Sequence, residues 1–223
     1  GFPHGDTVLR RAPAEDYYTL VRVLGRETVS NFGEVVIRPM DKKDHYVKRC
    51  VALPGDTLEV RDGLVWVNGE KQEVYEGVQL SYKVVTNGQR INSKILDGLG
   101  INFQELYYDS SLPGYPAMML TSEALDRVRQ IPNVVSVDVN LDTDPEVCSK
   151  EIFPFTADSG WTRDFFGPLW IPKKGSTVAL NSENLPLYER IITVYEQSDL
   201  QEALKNGEYT FKQDYFFMMG DNR

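Results

Sequence analysis

Tyr46-Val47-Lys48-Arg49-Cys50-Val51-Ala52-Leu53-Pro54-Gly55-Asp56 places a lysine inside an apolar, β-branched run that ends in a sharp turn. Side chains alternate across a strand, so Tyr46, Lys48, Cys50 and Ala52 share one face, and Val47, Arg49 and Val51 the other. Whichever face turns inward carries a cation with it. If the inward cation is Lys48, burial disfavours its charged form and lowers its pKa, which makes a lysine usable as a base near neutral pH. Most strand lysines sit instead at a solvated edge. This stretch alone does not decide between the two, and the rest of the chain has to.

Beyond the Pro54-Gly55-Asp56 turn, Thr57 to Val60 alternates, Arg61-Asp62-Gly63 turns, Leu64 to Val67 returns and Asn68-Gly69 marks a second tight turn. This is a β-meander and implies a mainly antiparallel sheet. Upstream, residues 7–40 read as extended, with strands at Thr7–Leu9 and Glu34–Ile37, while Tyr17–Leu24 leaves helix and strand both open. From residue 79 the pattern changes. Strand-like Leu80–Val85, helical Gln89–Leu99, strand-like Glu105–Asp109 and Met118–Leu120, a helix from Thr121 to Ile131 with its capping residue, and Val134–Val139 give the order βαββαβ. The expected architecture is therefore a mainly β, antiparallel and barrel-like core of residues 1–78 and 160–223, carrying an inserted ferredoxin-like α+β domain at 79–159. The return runs through the rigid Phe165–Pro172 segment and a helix capped by Asn184 with an apolar face of Leu187, Tyr188, Ile191, Ile192 and Tyr195. A second helix stops at Asn206-Gly207, and a long strand from Tyr209 to Met219 delivers Gly220-Asp221-Asn222-Arg223.

At 223 residues, 41% hydrophobic and 26% charged, the chain has the composition of an ordinary globular protein. Its formal charge of −9 argues against nucleic acid as a partner, because binders of that backbone carry a basic stripe. Two histidines, His4 and His45, supply a metal site or a Ser-His-Asp triad poorly, and neither a metal nor a cofactor is expected. Cys50 and Cys148 fit no metal-ligand spacing. A disulfide between them is open in an oxidising compartment, but a buried Cys50 and an exposed Cys148 is the expected arrangement. No apolar run approaches the ~20 residues that cross a bilayer. Both ends, at Gly1-Phe2-Pro3 without an initiator Met and at Arg223 directly after an apolar strand, read as cut.

Two stretches now need a joint reading. Tyr46-Val47-Lys48-Arg49 with Leu53-Pro54-Gly55-Asp56, followed far downstream by Met219-Gly220-Asp221-Asn222-Arg223, resembles the bacterial type I signal peptidases (leader peptidases). The resemblance implies a membrane-anchored serine endopeptidase with a Ser/Lys dyad. Such an enzyme faces the periplasm or the extracytoplasmic side of the inner membrane and removes N-terminal signal peptides from exported preproteins. By match to the motif, Lys48 is the general base, Arg49 and Asp221 form a supporting ion pair, and Gly220, Asn222 and Arg223 belong to the turn that supports the site.

The chain departs from the family pattern in three places. No Ser-Met-x-Pro segment is present, since Ser30 precedes Asn31-Phe32 and no other serine is followed by Met, so the nucleophile is expected upstream of residue 1. The family's serine, Asp and Arg beyond Gly-Asp-Asn-Arg are absent because the chain ends at Arg223. The family's Arg-Gly-Asp-x-Val strand maps equally to Gly5-Asp6-Thr7-Val8 or Gly33-Glu34-Val35-Val36. The 223-residue piece is accordingly expected to be inert. The rival reading is a catalytically silent envelope or binding homologue that docks partners through the insert. A Ser/Lys autoproteolytic repressor would need a DNA-binding domain, for which nothing in the chain argues.

Overall fold

The computed structural model describes residues 20–21, 24–32, 47–104, 106–148 and 151–222. The expected strands at Thr7–Leu9 and Glu34–Ile37, both alternative Gly-Asp and Gly-Glu segments, the two histidines, Tyr46 and Arg223 lie outside the described residues. The chain divides into two compact units, one holding residues up to Val47 together with Asp144–Trp161, the other Lys48–Thr143 together with the residues from Thr162 onward.

In the first unit Leu20, Val21 and Leu24 are helical, and a short helix follows at Arg26–Ser30. Of the two readings left open for Tyr17–Leu24, the helical one describes Leu20, Val21 and Leu24, and the extended reading of 7–40 does not hold at Arg26–Ser30. Gly25, at φ 80°, separates the two helical pieces, and Glu27 in the first turn of the second meets the positive end of its dipole. Val29 is fully buried. A one-turn helix at Pro145–Cys148 buries Cys148, where proline at the first position gives up no needed N–H.

The second unit is built on short antiparallel strands. In chain order they are β1 (Arg49–Ala52), β2 (Thr57–Arg61), β3 (Leu64–Val67), β4 (Glu70–Lys71), β5 (Leu80–Thr86) and β6 (Gly114–Leu120). There follow β7 (Val134–Val139), β8 (Phe166–Trp170), β9 (Thr177–Ala179), β10 (Glu208–Thr210) and β11 (Phe217–Met219). They form a four-stranded sheet ordered β4-β3-β2-β8, a three-stranded sheet ordered β6-β5-β7, and two ribbons, β1-β11 and β9-β10. Among the described residues these remain separate open sheets, so the barrel-like closure expected from the meander is not formed. Strands of two to five residues outside the three-stranded sheet are too short to share a continuous ladder.

The meander itself follows its turn residues. Gly55 at φ 95° follows Pro54, and Asp56 N–H closes the turn on Leu53 O at 3.0 Å. Asp62-Gly63 and Asn68-Gly69 both have positive φ at both positions, the backbone that matches the twist of a two-residue hairpin. Asp56 ties the turns together, accepting Leu53 N–H at 2.8 Å and the Asn68 side-chain amide at 2.8 Å. Leu58 and Val60 of β2 are buried with Phe166 and Leu169 of β8, each such side chain contributing about 1.5–3 kcal/mol by leaving water. Phe217 of β11 packs on Phe166 with ring centroids 5.6 Å apart, which fastens the β1-β11 ribbon to this sheet.

Between β5 and β7 the chain makes helix α1 (Ser93–Gly98) and helix α2 (Ser122–Arg129). Thr121 caps α2 by accepting Ala124 N–H. The helices close one core with the sheet, comprising Tyr82, Val84, Leu96, Tyr115, Met118, Leu120 and Val128 among others. The strand expected at 105–109 is reduced, among the described residues, to a single antiparallel bridge between Asp109 and Gly114. Asp109 turns its carboxylate onto the Ser111 amide and hydroxyl, which bends the chain at once.

Helix α3 (Leu185–Arg190) runs into a π-helical turn at Ile191–Tyr195, and helix α4 (Leu200–Asn206) ends on Gly207 at φ 72°. Asn184 does not cap α3. Its side-chain oxygen accepts Asn181 N–H and its amide donates to Ala179 O, holding the preceding turn. The π turn also breaks the expected apolar face, for Tyr188 and Ile192 are buried while Tyr195 is exposed and Glu196 is buried. Buried Glu196 interrupts the long final strand as well. Its carboxylate accepts the Lys212 and Gln213 backbone N–H groups at 2.9 and 3.1 Å, which turns 211–216 out of a ladder and leaves β10 and β11 as two short strands.

Candidate active site

The β1-β11 ribbon pairs Arg49 with Met219 and Cys50 with Met218. One step further, Lys48 stands opposite Gly220. That position carries no side chain, and the lysine lies across it: a Cβ built on Gly220 would stand 3.0 Å from Lys48 Nζ and 3.7 Å from its Cδ. Lys48 is exposed. The apolar burial considered for it is not provided by the described residues, because of the two adjacent cations it is Arg49 that turns inward. Cys50, two residues on, is also exposed and a free thiol, and Cys148 is free and buried, the reverse of the expected arrangement. The alternation explains this, since Cys50 shares the outward face with Lys48 and lies opposite exposed Met218.

Arg49 is half-buried and meets Asp221 with both arms of its fork, Nε to Oδ1 at 3.0 Å and Nη2 to Oδ2 at 2.7 Å. The match of two parallel donors to two carboxylate oxygens fixes orientation as well as distance. The Arg49 hydrogen bonds hold the Asp221 carboxyl below the ordinary carboxylate range, and the positive charge of Lys48 pushes the same way. The same bonds raise the Arg49 guanidinium.

Two further groups complete the arrangement. The Tyr75 ring lies under Arg49, its centroid 4.2 Å from Cζ. The Gln79 backbone N–H donates to the Asp221 backbone carbonyl at 2.7 Å, and Gln79 bridges Asn222 in parallel. The segment that follows the second hairpin thus holds the end of β11. A cleft of about 150 Å³ opens beside the ion pair, walled by Arg49, Leu64, Val74, Tyr75, Met219 and Asp221. Sequence reading missed Tyr75 and Gln79. They sit in an irregular stretch with no periodicity, and nothing in their spacing from Arg49 or Asp221 links them. Among the described residues no group of three or more His, Cys, Asp or Glu is placed to hold a metal ion.

Comparison with known proteins bears on this geometry. The family described as "Signal peptidase, peptidase S26" matches residues 5–109, a span that holds Lys48, Arg49 and the Leu53-Pro54-Gly55-Asp56 turn. Over this span the chain is similar to the type I signal peptidases. It is 42% identical over 55 residues to signal peptidase I of Bacillus licheniformis, a match covering 24% of this chain and 28% of that protein. It is 38% identical over 65 residues to signal peptidase IB of Staphylococcus aureus (strain Mu50 / ATCC 700699), covering 28% of this chain and 34% of that protein. The chain thus spans about a third or less of these signal peptidases' length in matched sequence. No solved structure gives a significant match. Among the described residues no helix is long and apolar enough to cross a membrane.

Proposed function

We propose that this chain is part of a serine endopeptidase that cleaves signal peptides from exported preproteins at the outer face of the inner membrane, with Lys48 as general base. The observation that supports the reading is the Lys48 amine lying across Gly220, one residue from the Arg49–Asp221 pair. Lys48 takes the proton from a serine hydroxyl as it attacks the scissile carbonyl and returns it to the leaving amine. Arg49, Asp221 and Gly220 fix the backbone beneath the amine and do no chemistry themselves. The nucleophilic serine lies outside these 223 residues, on a segment next to a membrane anchor. No metal or cofactor takes part.

A base working near neutral pH has to be shielded from water. Lys48 is open in the free chain, so in this reading the cover arrives with the bound preprotein. The substrate is an extended segment with small residues before the cut, added as a strand to a sheet edge, with shallow pockets that favour Ala. We further assign residues 79–159 to a ferredoxin-like insert in a catalytic core of 1–78 and 160–223. Support comes from the strand order β6-β5-β7 with β5 central, the two helices on one core, and the Asp109–Gly114 bridge where a fourth strand would run.

Incubation of the 223-residue chain with a precursor bearing an Ala-x-Ala site tests the placement of the serine. The expected result is no cleavage, and specific cutting at that site would overturn it. The exposure of Lys48 favours a second reading, a silent envelope homologue that docks proteins through the insert. The natural gene product decides between them, because the silent homologue leaves the precursor intact and the peptidase cuts it.

A further inference from the structure

We propose that Tyr75 is a positioning residue for this site, clamping one face of the Arg49 guanidinium so that Arg49 holds Asp221, and through it Gly220, in place under the Lys48 amine. The inference rests on the proposed peptidase reading for its consequence in catalysis, but its structural half stands by itself.

A guanidinium that makes a bidentate bond to one carboxylate can still rotate out of plane with its partner when both are half-exposed. Here the side chains of Arg49 and Asp221 are 35% and 41% exposed, so water competes for both. An aromatic face lying against the guanidinium restricts that freedom, because the negative ring face attracts the cation and blocks one side of it. At 4.2 Å from the ring centroid, Arg49 Cζ is closer to Tyr75 than any other arginine recorded over a ring among the described residues is to its own. The clamp has a second jaw four residues later, where the Gln79 backbone N–H donates to the Asp221 backbone carbonyl. Tyr75 and Gln79 therefore grip the two members of the ion pair from one short segment. Tyr75 is itself 48% exposed, and it is the ring that lies against the Arg49 guanidinium. The ring is the working part, so phenylalanine should serve and leucine should not.

The test uses the natural full-length protein and the variants Tyr75→Phe, Tyr75→Leu and Tyr75→Ala, with unchanged thermal unfolding as the control for folding. Two readouts are taken. The first is solvent exchange of the Arg49 Nε–H proton by NMR. We expect it to quicken about tenfold or more in Tyr75→Ala and Tyr75→Leu and to stay within twofold of the parent in Tyr75→Phe. The second is cleavage of an Ala-x-Ala precursor. We expect kcat to fall about tenfold in Tyr75→Ala with KM unchanged, recovery in Tyr75→Phe, and no further loss when Tyr75→Ala is added to Asp221→Asn, as for residues acting as one unit. Unchanged Arg49 exchange in Tyr75→Ala, equal loss in Tyr75→Phe, or additive loss with Asp221→Asn overturns the proposal. If Lys48→Ala cleaves normally while the Arg49 exchange pattern holds, the peptidase reading has failed and the clamp has not.

Discussion

Lys48 and Arg49 are chemically similar neighbours sent in opposite directions by the alternation of one strand. Arg49, the planar fork, goes to the partner that matches it, and Lys48 goes to the one position across the ribbon without a side chain. That absence is specific. In Gly220→Ala the new methyl meets Lys48 Nζ at 3.0 Å, and the flexible lysine end yields by a few tenths of an ångström. The fold should survive, with a melting temperature close to the parent's, while cleavage by the full-length protein falls about tenfold, since a reacting group displaced by 1 Å costs about 10²-fold. The ion pair makes a separate prediction about pH. Because the folded-state pKa of Asp221 is depressed, its contribution to stability is present above the ordinary carboxylate value of about 3.9 and is lost as pH falls through the depressed value. In urea titrations Asp221→Asn should therefore be less stable than the parent at pH 7, and the difference should shrink toward zero on acidification below pH 4. A difference that stays constant down to pH 2 would count against the pair.

At the scale of elements, the meander was legible because its turns are chemically explicit. Pro54-Gly55, Asp62-Gly63 and Asn68-Gly69 each carry residues whose backbone preference names the turn, and all three form. The caps at Thr121 and Gly207 were legible for the same reason. What misled was Glu196, because no local pattern announces that a glutamate will be buried and will collect the backbone N–H groups of Lys212 and Gln213 with the hydroxyls of Tyr209 and Tyr215. That carboxylate, supplied by a π turn, is why one long apolar stretch becomes two strands. Burial, together with the hydrogen bonds to this anion, also raises both tyrosines above their ordinary values. Replacing it strands several donors at once, so Glu196→Ala should cost about 3–5 kcal/mol in urea unfolding; a loss under about 1 kcal/mol would show the network to be incidental. Gly114 is a second such point. A Cβ there runs into the carbonyl of Val84 on the paired strand, and Gly114→Ala should destabilise the protein by about 1–3 kcal/mol or more through strand displacement.

For the molecule as a whole, the sequence pattern could mark a change near residue 79 but could not close its sheets. Strand order depends on which short ladders meet, and alternation in β1, β2 and β11 is silent about that. The expected barrel gave way to separate sheets and ribbons, whereas the segment from β5 to β7 emerges with a core of its own residues. Amide exchange should accordingly show β5, β6, β7, α1 and α2 opening together as one cooperative group, at a free energy distinct from that of β2, β3 and β8. A single common opening energy for both groups would argue that they are one core. The candidate site was legible at its two ends, since Lys48–Arg49 and Gly220–Asp221 lie in motifs, and illegible in between, because Tyr75 and Gln79 reach it only through the fold.

The central claim is that the Lys48 amine moves the proton in peptide-bond cleavage, and its most direct measurement is the single-turnover rate at which the natural full-length protein cuts an Ala-x-Ala precursor, compared with Lys48→Ala. A positioned general base is worth about 10²–10⁴-fold, so the variant should fold normally, bind the precursor and cleave it at least 10²-fold more slowly. A Lys48→Ala protein that cuts within a few-fold of the parent rate contradicts the account.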